Sequence, residues 1–168
     1  MKKLIFLLLT FVVFVSCFAK KAEKQPTFVG MANPWTDCGT DFEQASLIAG
    51  FSFPLKLSNC DVRAMNGMIE VRYPLDEKRT VYVRKTDSDK LVNNGDISGV
   101  YVDYPIKKEI TLKDCVPVQT RGSRDKIYVM NMVASAGYYS AYCKYGMTVE
   151  EIEDIYNLIA EAEMSKIV

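Results

Sequence analysis

Five cysteines, at positions 17, 38, 60, 115 and 143, are the most reactive side chains of this 168-residue sequence. No two lie close enough in sequence to form the Cys-x-x-Cys step of a redox centre or a structural zinc site. In an oxidising compartment Cys38, Cys60, Cys115 and Cys143 can pair into one or two disulfides, each contributing about 2–4 kcal/mol. Reduced, they serve as small buried hydrophobes. Histidine is absent throughout. That removes Ser-His-Asp triads, Cys-His dyads, two-histidine zinc sites and histidine pH switches. Asp87 and Asp89 have the spacing of the first two ligands of a calcium loop, but the central glycine and closing glutamate are missing, so they read as a solvated turn. Met130 and Met132 suit a soft Cu(I) ion in type, yet residues two apart on a strand share a face, which assigns them to the core. Ser123 has no base beside it. No catalytic residue, metal or cofactor is expected.

The chemistry that remains is recognition. The run Tyr138-Tyr139-Ser140-Ala141-Tyr142-Cys143-Lys144-Tyr145 is rich in tyrosine, which offers a large rigid surface with a hydroxyl handle. Tyr139, Tyr142 and Tyr145 are the candidate partner-contacting residues, with packing at the edge of the core as the competing role. Trp35, the single tryptophan, is read as a large anchor closing one end of the core. With 21 Lys and Arg against 21 Asp and Glu, the formal charge is zero, which gives no electrostatic reason to expect nucleic acid or an anionic membrane as partner.

The elements that must carry these residues follow the order helix, strands, helix. Thr40 and Glu43 form a capping box ahead of a short helix that Gly50 ends. Strands are expected over 61–65 and 68–73 around Asn66-Gly67, where both turn positions favour positive φ, and over 80–85. Further strands are expected over 109–112 and 115–120 around Lys113-Asp114, and over 126–133 and 138–143. Residues 86–99 read as a mobile polar loop. Thr148 and Glu151 repeat the capping box and open a helix to about residue 163, with Val149, Ile152, Ile155, Tyr156 and Ile159 along one side. The expected fold is α+β, a curved antiparallel sheet of about six or seven strands with a short N-terminal helix and a C-terminal helix packed on it, forming one domain over 34–164.

Met1-Lys2-Lys3 followed by the apolar run Leu4 to Val15 has the form of an export signal, and the run is too short to cross a bilayer, which takes about 20 residues. Residues 1–17 are assigned to that signal and 18–33 to a tether. Phe14-Val15-Ser16-Cys17 resembles the bacterial lipoprotein cleavage box, in which Cys17 is lipidated. The competing route is cleavage after Ala19 and release into the periplasm or medium. Both routes export the protein, and membrane contact is expected only through the lipid. Loss of the signal takes Lys2 and Lys3 and moves the formal charge to −2.

Asn33-Pro34-Trp35, the Glu43 helix ending in Ala49-Gly50-Phe51 with Pro54 after it, and the strand Met68-Ile69-Glu70-Val71-x-Tyr73 form one half of a recurring order. The Arg121-Gly122 turn before Tyr128-Val129, the start Gly137-Tyr138 and the closing Thr148-x-x-Glu151 helix form the other. Together, over residues 33–160, they resemble a bacterial extracytoplasmic domain of unknown function found in small lipoprotein-like or secreted proteins and at the outer end of some membrane-bound anti-sigma factors. The resemblance implies an α+β sheet domain without an established catalytic residue. It does not imply sigma regulation, because the sigma-binding segment and membrane helix of that arrangement have no counterpart here. The expected function is a non-enzymatic extracytoplasmic module that binds an envelope protein, peptide or lipid. The alternative is a secreted inhibitor of an extracellular enzyme, presenting the 86–99 loop on a disulfide-held frame.

Overall fold

A computed structural model describes residues 33–53, 60–113, 116–134 and 137–164, all inside the unit Asn33–Val168. Cys17, the signal, the tether up to residue 32 and Cys115 lie outside the described residues. The chain runs β1 (Thr36–Asp37), α1 (Phe42–Ala49), β2 (Asp61–Met65), β3 (Met68–Pro74), β4 (Thr80–Thr86), β5 (Ile106–Thr111), β6 (Pro117–Gly122), β7 (Ile127–Ala134), β8 (Gly137–Met147) and α2 (Val149–Met164). The class is α+β, and the sheet is open and antiparallel with eight strands where about six or seven were expected. The additional strand is β1, whose two residues are too few to show a period.

Strand order is β1-β2-β3-β4-β8-β7-β6-β5. Two meanders of four strands each are thus joined at the middle, where β4 lies against β8 and Val83 faces Ala141. The connection from β4 to β5, residues 87–105, has to travel from the middle of the sheet to its far edge. It does so across one face, bonding to Arg84 and Ser140 on the way.

Local chemistry explains the boundaries. The cap of α1 is Asp41, one residue later than the box at Thr40 suggests: Asp41 Oδ1 accepts from the Gln44 N–H at 2.9 Å, and Gly50 closes the helix in the left-handed region. At α2 the expected box forms, with Glu151 N–H donating to Thr148 Oγ1 at 3.2 Å and Thr148 N–H to Glu151 Oε2 at 3.0 Å. At the β2–β3 hairpin only Gly67 takes positive φ, whereas the pair with both central residues there is Asn94-Gly95, at φ 51° and 81°.

Alternation sorts the sheet into two faces. One carries Val62, Ala64, Ile69, Val71, Val81, Val83, Met130, Met132, Ala141 and Cys143, and forms the main core with Ala45 and Ala49 of α1 and Ile152, Ile155 and Ile159 of α2. Lys85 also points to this face, between Ile69 and Tyr139. Its ammonium lies over the Phe51 ring at 4.6 Å and reaches Asp87 Oδ1 at 3.0 Å, so a charge is buried beside the core with one carboxylate at its tip. No helix among the described residues is long and apolar enough to cross a membrane.

Candidate functional site

The opposite face of the sheet holds the clustered polar and aromatic chemistry. Cross-strand partners form a row of polar residues through all eight strands: Asp37, Arg63, Glu70, Arg84, Ser140, Asn131, Gln119 and Glu109. The next row runs Asp61, Arg72, Tyr82, Tyr142, Val129, Arg121 and Lys107. Such rows arise because strands of period two, paired in register, align every second side chain across the sheet.

Glu70 is the centre of the first half. It is 1% exposed and its carboxylate sits between two guanidiniums, Arg63 Nε at 2.6 Å and Arg84 Nε at 2.7 Å, with Arg72 Nε at 3.9 Å. The Arg84 contact is an aligned hydrogen bond; the Arg63 contact is close in distance but misaligned in angle, so Glu70 Oε1 and Arg63 Nε attract without bonding. Trp35 lies over both flanking arginines, its ring centroid 4.7 Å from Arg63 Cζ and 5.1 Å from Arg84 Cζ. This is a cation–π stack on the far side of the sheet from the main core, which corrects the expectation that Trp35 closes a core end. Its indole is part-exposed.

The second half of the face is covered by the connection 87–105. This segment, expected to be a mobile loop, is fixed by hydrogen bonds to the sheet. Arg84 Nη1 donates to Ile97 O at 3.1 Å and Ile97 N–H donates to Ser140 Oγ at 3.2 Å. Arg121 Nη2 reaches Asp96 Oδ2 at 2.5 Å and Nη1 reaches Val100 O at 3.2 Å. With its amide nitrogen turned toward Asp96, Asn131 donates to Asp96 Oδ1 at 3.1 Å and to the Ser140 hydroxyl. Ile97 and Ser98 are buried by this docking. Tyr104 then stacks on Tyr128 with centroids 4.8 Å apart, next to the tilted pair Tyr82 and Tyr142 at 6.1 Å. Burial, above all, pushes the Tyr142 phenol up from its ordinary value.

The three candidate tyrosines are not brought together. Tyr139 is wholly buried in the main core and is unavailable to a partner; Tyr142, three residues on and so on the opposite face, is half-buried in the aromatic group. Tyr145 is exposed further along β8, near Asp76 to Arg79. Cys38, Cys60 and Cys143 stand as free buried thiols, and burial pushes those of Cys38 and Cys60 up from the usual range. Asp87 is committed to Lys85 and Asp96 to Arg121. Among the described residues, no three His, Cys, Asp or Glu side chains are grouped so as to hold a metal. Ser140, the buried hydroxyl of the face, neighbours an amide and no base. The arrangement displays flat aromatic and guanidinium surfaces and multiple N–H donors, which is chemistry of recognition.

Sequence reasoning missed the Trp35–Arg63–Glu70–Arg84 group. Its signal was parity: Arg63, Glu70, Arg72 and Arg84 all occupy the strand positions that alternate with Val62, Ile69, Val71 and Val83. Comparison of the chain with protein-family models, with curated proteins and with solved structures finds no match.

Proposed function

We propose that this chain is a non-enzymatic extracytoplasmic binding module, exported by residues 1–17, tethered through Cys17, and engaging an envelope protein, peptide or lipid through the β1–β4 half of its polar face. The observation that carries this reading is the grouping of part-exposed Trp35, Arg63, Arg72 and Tyr82 on that half. The connection 87–105 bonds to Ser140, Asn131 and Arg121 of the other half and meets this half at Arg84 on the seam strand β4. Trp, Tyr and Arg are the side chains that dominate binding energy at protein interfaces. The basic start and the apolar run Leu4 to Val15 that ends at Ser16-Cys17 support the same address.

A photo-crosslinking residue placed at Tyr82 in cells tests it, with the same residue at Glu109 on the far edge as control. A discrete adduct at 82, absent at 109 and lost when Trp35→Ala is added to a chain of unchanged circular dichroism, supports the reading. Equal labelling at both positions, or none at 82, removes this surface. Incorporation of labelled fatty acid, abolished by Cys17→Ser, tests the tether separately.

A further inference from the structure

The sequence contains two Asn-Gly steps, Asn66-Gly67 and Asn94-Gly95, and the fold treats them differently. At the first, the Gly67 N–H donates to Ala49 O at 3.1 Å, and the space beside the Gly67 Cα is closed by Leu91 Cδ1, 3.0 Å from where a Cβ would stand. At the second, Asn94 is exposed and is the one non-glycine with positive φ among the described residues. The Gly95 N–H meets no acceptor among them, and a Cβ at Gly95 would have nothing within 4 Å. The turn's two cross-strand bonds, Asn93 N–H to Asp96 O at 3.0 Å and Asp96 N–H to Asn93 O at 2.9 Å, leave the Gly95 nitrogen outside the ladder.

We infer that Asn94 is a site of spontaneous covalent modification, namely deamidation through a succinimide. The Gly95 backbone nitrogen attacks Asn94 Cγ. The new N–Cγ bond replaces the bond from Cγ to Nδ2, and the displaced amide leaves as ammonia, taking the Gly95 proton. Water then attacks one imide carbonyl, its hydroxyl bonding to that carbon as the bond from the carbon to the ring nitrogen breaks and the nitrogen takes the proton; opening at Cγ gives aspartate, and opening at the Asn94 backbone carbonyl gives isoaspartate. Glycine is the residue that lets this ring close, because no Cβ obstructs the approach. At Asn66 the same attack requires the Gly67 N–H to leave its carbonyl partner first.

The product has a structural consequence. A new carboxylate appears two residues from Asp96, which Arg121 and Asn131 hold against the sheet, and an isoaspartate lengthens the backbone of a two-residue turn. The modification therefore loosens the connection over Ser140 and opens the covered half of the polar face.

Incubating the full chain in mildly alkaline buffer made with oxygen-18 water, followed by peptide mapping, tests this. Conversion at Asn94 should exceed that at Asn66 by roughly five-fold, the factor supplied by one ordinary backbone hydrogen bond. In urea the two rates should converge. Label on the 93–96 peptide should vanish in Asn94→Ala, and amide exchange of Ile97 should rise in the converted fraction. Conversion at Asn66 as fast as at Asn94 in the folded chain overturns the inference. So does an unmodified Asn94 over a period in which the chain in urea converts there.

Discussion

Glu70 offers the sharpest test of the polar face. Replacing it by alanine leaves Arg63, Arg72 and Arg84 facing one another around an empty carboxylate position, and their side chains are only 22%, 30% and 17% exposed. Removing one member of a buried ion pair costs about 3–5 kcal/mol, because the remaining charge keeps its desolvation penalty without its partner. The partial exposure of the arginines lets water return, which places the expected loss near the lower bound, at about 3 kcal/mol. With a urea slope of ~1.5 kcal/mol per M, the unfolding midpoint should fall by about 2 M at an unchanged slope. Glu70→Gln keeps the shape and one acceptor oxygen and should lose about 1.5–3 kcal/mol, the worth of a charged hydrogen bond. Equilibrium urea unfolding followed by circular dichroism and by Trp35 fluorescence reads both variants, and the fluorescence should shift because the indole rests on the two released arginines. A midpoint drop below about 0.3 M for Glu70→Ala would show that the cluster behaves as a solvated surface pair, and the reasoning from burial would fail.

Three further outcomes follow from the same structure. A hydrogen bond from Arg79, opposed by burial, holds the Glu151 carboxyl below the usual range. A depressed folded value means its stabilisation is complete above the unfolded value of about 4.3 and is lost as pH falls through the folded one, so Glu151→Gln should flatten the acid limb of thermal stability below about pH 4. Lys85→Met should leave stability equal or raise it, whereas Asp87→Ala, which strips the partner from a buried ammonium, should cost about 1–2 kcal/mol given that Asp87 is itself 47% exposed; chemical denaturation distinguishes them. Ile155→Ala, at a core position of α2, should cost about 2–5 kcal/mol in the same assay, and a loss below about 0.5 kcal/mol would mean that the helix is not seated on the sheet.

Much of the fold is local and could be read from local chemistry. The capping box at Thr148 and Glu151, the glycine stop at Gly50, and the alternation of Val81, Tyr82, Val83 and Arg84 each follow from rules operating within a few residues. The strand order is not local. Nothing near Val83 indicates that its neighbour is Ala141 rather than a residue of β5, and the path of 87–105 across the sheet depends on that non-local choice. With the strand order unknown, the polar segment could only be read as a loop, and Ile97, its apolar plug, had no visible destination. The candidate tyrosines illustrate a simpler lesson: Tyr139 and Tyr142 differ by an odd number of positions, so one strand could not show both to the same partner.

The joining of β4 to β8 also governs when this protein can fold. Apart from β1, which reaches β2 through α1, each half consists of hairpins that close over short loops, but the seam between them brings Val81 to Cys143, and α2, which covers the core face, comes later still in the chain. Contacts this distant in sequence form late and slow the overall rate. A chain still emerging from the ribosome therefore has two incomplete half-sheets, each with an exposed apolar side and an unpaired central strand. Under the export route proposed above this delay is useful, since the seam that completes the fold does not close until nearly the last strand has been made. The same delay leaves the margins of β4 and β8 open to pairing with other chains, so a chaperone that shields those two strands has its greatest effect before the C-terminal helix arrives.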